Sequence, residues 1–367
     1  MNSAFFTNQL MLWHRQSNTR KMPWKGEKDP YRIWLSEIIL QQTRVEQGRD
    51  YYLRFIETFP TIKDLANAPE SSVFKLWEGL GYYTRCRNLI ETARFISFER
   101  NGLFPDTYND IIALKGVGPY TAAAIASFAF GLPFAVVDGN VIRVLSRYFG
   151  ILEPVDTAAI KKDLTERAQK LIPENDPAGF NQAIMDFGAV VCKPANPVCD
   201  QCPISKNCVA FKKGLADKIP FKSKRIIKRK RFLHYLIFRF NGSVYCKKRS
   251  EKDIWQNLYE FYLHESDQII SIEELQNELF FKKIMRGIPY SVLSVSAIRK
   301  QKLTHQDLEG VFYEFHLEKK PNTPDSFQEI EEKHVMQLAF PKFILSYLNE
   351  KSVYLNNQYP LFDPDKP

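Results

Sequence analysis

Three groupings in this 367-residue chain have residue types and spacings that could do chemistry. The first is a carboxylate, Glu37, whose neighbours three and four residues away on a helix are Trp34, Leu40, Ile33 and Gln41. A carboxylate on so apolar a face loses hydration and its pKa rises, which suits a general acid at neutral pH. The competing reading is a glutamate satisfied by a partner or sitting at the edge of that face. The second grouping runs from Leu114 to Val141, LKGVGPYTAAAIASFAFGLPFAVVDGNV. Its turn Gly116-Val117-Gly118 offers free backbone N–H groups, a ready clamp for phosphate, and Asp138-Gly139-Asn140 brings an acid one element later. The third is Cys192-x6-Cys199-x2-Cys202-x5-Cys208. Thiolates at this spacing can close around zinc or a [4Fe-4S] cluster, and three close cysteines after one remote cysteine suit the larger group better.

The elements that must position these residues read as helices. Asp29 can cap, and Pro30 open, a helix reaching about Gln42. Pro119 opens a second helix that Gly131 and Pro133 stop, and a third begins at Val141 behind Asp138. Helical patterns also cover Tyr51–Phe59, Ser72–Glu78, Asn88–Glu99, Asn109–Leu114, Thr157–Leu171 and Phe180–Val191. Strand signals are nearly absent, so residues 1–220, with the cysteine loop 192–208, are expected to form an all-α domain. Between two helices, Gly79-Leu80-Gly81-Tyr82-Tyr83 presents adjacent tyrosines that either pack into the core or wedge among bases. A basic linker at 221–231 follows, containing Lys228-Arg229-Lys230-Arg231. Alternating segments then appear: FLHYLIFRF, Asn241-Gly242 and SVYCKKR form a hairpin signature, and Ser271 to Glu274 resembles a capping box opening a helix to Phe281. SVLSVSAIR and GVFYEFHLE read as strands, and a helix near Pro341–Leu348 closes an α+β domain over 232–350, before a flexible tail at 351–367.

Bulk properties agree with a polyanion-binding globular protein. The net charge is +9 and the pI near 9.0, with 44% hydrophobic and 14% aromatic residues, enough to bury two cores. Six cysteines are too few for a disulfide scaffold in so long a chain, and Cys86 and Cys246 read as ordinary thiols. No apolar run has the length of a membrane span, and MNSAFFTNQL lacks the regions of a signal peptide, so a cytoplasmic, nucleoid-associated monomer is expected.

In order along the chain, these blocks resemble the MutY family of adenine DNA glycosylases, within the helix-hairpin-helix superfamily that includes endonuclease III. The blocks are Met22-Pro23-Trp24, Ser36-Glu37, Leu40-Gln41-Gln42-Thr43, Gly79 to Tyr83, the glycine hairpin, Val137 to Val141, the four cysteines, and Trp255 to Phe261. The resemblance implies a helix-hairpin-helix glycosylase domain carrying a [4Fe-4S] cluster on Cys192, Cys199, Cys202 and Cys208, followed by a Nudix-like recognition domain. Bifunctional relatives place a lysine nucleophile directly after the hairpin's Gly-Pro; here that residue is Tyr120, with Lys115 on the other side of the turn. The resemblance therefore implies a monofunctional enzyme that removes a base and leaves an abasic site.

Adenine leaves poorly until a ring nitrogen is protonated, which assigns Glu37 as the acid. Departure leaves an oxocarbenium-like sugar, which assigns Asp138 as the stabilising carboxylate. By resemblance, Asn140 orders the attacking water, Tyr120 orients Asp138 or contacts the cation, and Arg20, Trp24, Val45 and Gln182 line the adenine pocket. Gln42 and Tyr82 enter the duplex as the base flips, while Gly116, Gly118 and Lys115 meet its backbone. Lys25 and Gln182 depart from residues some relatives carry. The helix SIEELQNELFFKKI lacks the acidic metal box of true Nudix hydrolases, so the second domain is expected to read 8-oxoguanine through Leu303, Thr304 and His305. Leu303 replaces an aromatic residue of many relatives. The expected partner is double-stranded DNA with adenine opposite 8-oxoguanine or guanine. The tail residues Gln358, Leu361 and Phe362 resemble a sliding-clamp peptide.

Overall fold

The computed structural model describes residues 3–223 and 227–358. By contacts the chain forms two compact units, one from Met1–Ala68 and Arg87–Arg225, the other from Pro69–Cys86 and Ile226–Pro367. The excursion of residues 69–86 into the second unit is a feature that a linear reading of domains does not anticipate.

The first unit is helical: α1 (Ser3–Ser17), α2 (Pro30–Leu40), α3 (Val45–Thr58), α4 (Ile62–Asn67), then α5 (Glu70–Trp77) in the excursion and α6 (Tyr83–Arg94), which leads back from it. There follow α7 (Tyr108–Ile112), α8 (Pro119–Phe130), α9 (Gly139–Phe149), α10 (Ala158–Gln169), α11 (Pro177–Val190) and α12 (Val209–Lys212). The expected caps are in place. The Asp29 carboxylate accepts from the Tyr31 N–H, and Pro30 holds the first position of α2. Gly131, at φ +67°, ends α8 in the left-handed conformation that a side chain disfavours. Helix α2 is buried at Tyr31 and from Ile33 to Ile39, and it packs against α8, whose Thr121–Ser127 stretch of small residues is buried. Helices α9 and α11 cross closely because Gly188 has no side chain: a Cβ there would lie 2.7 Å from the Asn140 Cβ. Three helices, α1, α4 and α12, lie outside the helices expected from the sequence, and the helix expected at 88–99 starts at Tyr83 and ends in a π-helical turn, Phe95–Glu99.

The second unit is built on a mixed sheet of β1 (Arg229–Phe240), β2 (Ser243–Lys248), β3 (Tyr259–Glu260), β4 (Tyr262–Ser266), β5 (Tyr290–Val295), β6 (Arg299–Lys302), β7 (Gln306–Leu317) and β8 (Gln328–Glu331). Strands β1 and β7 pair in parallel from Arg229↔Gln306 to Arg239↔His316, and β2, β4, β5 and β6 flank them antiparallel. The β1–β2 turn is the expected hairpin, with Asn241 and Gly242 at φ +48° and +71°. Strand β1 reads as a continuous apolar run because both of its faces are covered. Leu233, Tyr235 and Ile237 meet Phe343, Ile344 and Tyr347 of α16 (Lys342–Gln358), while Leu236 and Phe238 meet α13 (Ile272–Asn277) and α14 (Leu279–Ile284). A short α15 (Glu332–Val335) precedes α16. The capping box at Ser271 and Glu274 forms as expected, but Glu278 is extended and splits the single helix expected there into α13 and α14. The run SVLSVSAIR is likewise split into β5 and β6, and α16 continues past Leu348 to Gln358. Of the tail motif, Leu361 and Phe362 lie outside the described residues, as do Lys224 and Arg225 of the linker.

Candidate active site

A cavity of about 380 Å³ opens in the first unit among α2, α8, α9, α11 and the segment after α1. Its walls carry all four residues given catalytic roles (Glu37, Tyr120, Asp138, Asn140) and all four assigned to the adenine pocket (Arg20, Trp24, Val45, Gln182).

The two carboxylates sit in opposite surroundings. Glu37 is only 7% exposed, and its pKa is pushed up to about 7. Burial is the main cause; the nearby Tyr120 hydroxyl opposes it, and the charge of Asp138 pushes the same way as burial. The Tyr120 hydroxyl itself is held far above its ordinary range, chiefly by burial, and remains a neutral donor. Asp138 is raised too, by burial, but donors hold its charge. Its Oδ1 accepts from the Val141 N–H at 2.7 Å, as the N-cap of α9 requires, and its Oδ2 accepts from Asn140 Nδ2 at 2.7 Å. An apolar niche favours a protonated Glu37, whereas the two donors on Asp138 offset part of the effect of its burial and stabilise its ionised form. Opposed environments of this kind separate an acid from an anion within one pocket.

Asn140 is fixed from both sides. Its Oδ1 accepts from Arg143 Nη2 at 2.8 Å, and Arg143 also donates to the carbonyls of Gly188 and Cys192. One turn on, Arg147 is 2% exposed and donates to the carbonyls of Lys193, Pro194 and Ile219, and to the Cys192 sulfur at 3.3 Å. Cys192, Cys199, Cys202 and Cys208 all line one small pocket beside Val144, Arg147 and Phe187. Burial pushes the Cys202 thiol up to about 12, and Cys199 and Cys208 are raised as well, with neighbouring cysteines adding to each shift. Four thiolates could share that pocket only around a compensating cationic centre. The donor set and its guanidinium neighbour fit a sulfur-rich cluster.

The hairpin has the geometry expected of a backbone clamp. Gly116 lies at φ +79°, and a Cβ would come within 2.7 Å of the Asn88 Cβ; Gly118 caps α8 with its N–H groups forward. Lys115 pairs with Glu91. Gln42, just past α2, is exposed at φ +56°. The two tyrosines part company: Tyr83 is buried against Phe74, while Tyr82 is 44% exposed at φ +49°. Within the second unit, the Tyr82 hydroxyl bonds to the Thr304 hydroxyl, joining two residues read separately in the sequence. His305 is exposed, its carbonyl accepting from the Arg229 N–H, and Leu303 packs onto the core cluster under α16.

Sequence reasoning missed Asp186. This fully buried carboxylate on α11 binds Arg20 at 2.8 Å, Asn18 at 2.8 Å and Lys25 at 3.1 Å. The rule that singled out Glu37, a charge inside an apolar helix, applies equally to Asp186 in FNQAIMDFGAVV.

Comparison with known proteins agrees with this geometry. Residues 35–173 match the family described as HhH-GPD superfamily base excision DNA repair protein. The solved structure of a thermostable thymine-DNA glycosylase superposes with a TM-score of 0.52 at 32% identity, covering 57% of this chain and 97% of that one. A trapped endonuclease III–DNA covalent intermediate, at 20% identity and a TM-score of 0.50, shares the fold over 59% of this chain and 99% of that one. The class is thus a helix-hairpin-helix base excision repair glycosylase. The likeness to adenine DNA glycosylases runs further along the chain. It is 36% over 288 residues to that of Buchnera aphidicola subsp. Baizongia pistaciae, 77% of this chain and 81% of the relative. With the Homo sapiens protein it is 42% over 214 residues, 56% of this chain and 39% of the relative. The chain belongs to the adenine DNA glycosylase family.

Proposed function

We propose that this enzyme hydrolyses the N-glycosidic bond of adenine mispaired with 8-oxoguanine or guanine, leaving an abasic site without cutting the strand. The observation that carries the reading is the pairing of a buried Glu37, whose pKa is raised to about 7, with a donor-held Asp138 on the walls of one cavity. The flipped adenine enters between Arg20, Trp24, Val45 and Gln182. Glu37 gives its proton to a ring nitrogen, the C–N bond breaks, and the Asp138 carboxylate faces the cationic sugar. Water held by Asn140 adds to the sugar carbon and loses its proton to a carboxylate. Tyr120 occupies the position where a lysine amine would form a Schiff base, and from the same cavity wall it orients Asp138 or contacts the cationic sugar.

Duplex DNA is held by the hairpin at Gly116 and Gly118, by Lys115 once released from Glu91, and by Gln42 and Tyr82 at the vacated base position. Residues 232–350 act as a Nudix-like recognition domain in which Thr304 and His305 contact 8-oxoguanine and Leu303 backs the loop. Cys192, Cys199, Cys202 and Cys208 would hold a [4Fe-4S] cluster, which when bound ties the end of α11 to α12 as a structural cross-link. The enzyme acts as a nucleoid-associated monomer, and Gln358, Leu361 and Phe362 bind a sliding clamp. No helix among the described residues is long and apolar enough to cross a membrane.

Single-turnover base release from duplexes carrying A opposite 8-oxoguanine, A opposite G, T opposite G and A opposite T tests the reading. Adenine release from the first two without strand breakage is expected. Thymine release instead, as the likeness to a thymine-DNA glycosylase would allow, or strand breakage trapped by borohydride, refutes it.

A further inference from the structure

We infer that Asp186 is the positioning residue of the base pocket, setting Arg20, Lys25 and His14 as one prearranged array of N–H donors. The inference rests on the function proposed above, since it says how the pocket that receives the base is organised. Asp186 is 0% exposed, yet three donors converge on it: Arg20 Nη1 on Oδ1, with Asn18 Nδ2 and Lys25 Nζ on Oδ2. A carboxylate without these partners would cost several kcal/mol to bury, so the four side chains form as a set. Arg20 and Lys25 line the cavity and cannot reach Asp186 without being drawn to one wall.

The third member is reached through Asn18. Its Oδ1 accepts from the Arg20 N–H at 3.1 Å, which fixes which end of the amide carries hydrogen. Its Nδ2 then donates both to Asp186 and, at 2.9 Å, to Nδ1 of His14. His14 Nδ1 must therefore be an acceptor, and a neutral ring carries its proton on Nε2. Burial, helped by the charge of Lys25, favours that neutral ring. His14 lines the same cavity, and its Nε2 has no partner among the described residues. The wall that Asp186 organises thus offers donors only. That complements the acceptor nitrogens of a purine ring, and it leaves the amino group of the base to an acceptor such as the Gln182 carbonyl.

The test is a kinetic cycle on the full-length holoenzyme. Asp186→Asn should slow single-turnover adenine release by at least about tenfold while duplex affinity is unchanged. Combined with Arg20→Ala, the loss should be no greater than that of the more damaging single variant, because both remove the same array. A wild-type rate for Asp186→Asn, or multiplicative losses in the double variant, overturns the inference. Should Asp186→Asn fail to fold, long-range 15N–1H spectra of the wild-type imidazoles decide. A His14 proton on Nε2 supports the array, and one on Nδ1 overturns it. Absence of adenine release by the wild type would instead sink the proposed function and leave the tautomer result standing.

Discussion

Glu37→Gln should inactivate the enzyme and, at alkaline pH, stabilise it. The carboxyl is lifted from an ordinary value of 4.5 to about 7, which corresponds to about 3 kcal/mol at 1.36 kcal/mol per pH unit. Because the folded pKa is the higher one, the folded chain holds this proton more tightly than the unfolded chain. The stability it contributes is complete below pH 4.5 and is lost as pH rises through about 7. Glutamine does not titrate and keeps the shape of the side chain. The stability advantage of the variant over the wild type should therefore grow by roughly 2 to 3 kcal/mol between pH 5 and pH 9 in denaturant unfolding. Asp138 is present in both proteins and drops out of the comparison to first order. Over the same range, single-turnover adenine release by the wild type should fall above about pH 7, where Glu37 loses its proton. A stability gap that is the same at pH 5 and pH 9, or a wild-type rate flat from pH 6 to pH 9, would refute the assignment of Glu37 as a buried acid.

Asp138→Asn keeps an N-cap for α9, so melting should move little, yet base release should fall by about a hundredfold or more through loss of the anion that faces the cationic sugar. Gly116→Ala should destabilise the fold by about 1–3 kcal/mol, because it strains a backbone at φ +79° and crowds Asn88. Gly118→Ala meets nothing within 4 Å, so if duplex affinity measured by anisotropy falls there while the melting temperature holds, the loss reports direct DNA contact. Arg147→Met strands the carbonyls of Lys193, Pro194 and Ile219, and should cost about 3 kcal/mol together with iron content read by visible absorption. Full iron occupancy in that variant would argue against a supporting role for Arg147.

What the sequence could carry was local. The caps at Asp29, Asp138 and Ser271, the stop at Gly131 and the Asn241-Gly242 turn each depend on residues within one turn of themselves, and all form as expected. The split at Glu278 lets Leu275 on one side and Phe281 and Ile284 on the other reach the same core cluster on the sheet, which no local pattern encodes. The site divides along the same line. Glu37 and Asp138 were legible as types in context, because one sits on an apolar face and the other opens a helix. Their shared pocket was not legible from local pattern, since about a hundred residues separate them; it was expected only through the resemblance to the family, and both line one cavity. Asp186 marks the limit most sharply. Its partners Asn18, Arg20 and Lys25 lie more than 150 residues away in a segment without helical pattern, so nothing near Asp186 in the chain says what neutralises it. A buried charge inside an apolar helix still announces that a partner must exist, because leaving it unpaired would outweigh most other interactions in the core. The same reasoning that made Glu37 a candidate acid thus separates two outcomes by neighbours alone. A buried carboxylate left without N–H donors is suited to hold a proton for transfer, and one given three N–H donors is suited to hold its neighbours in place.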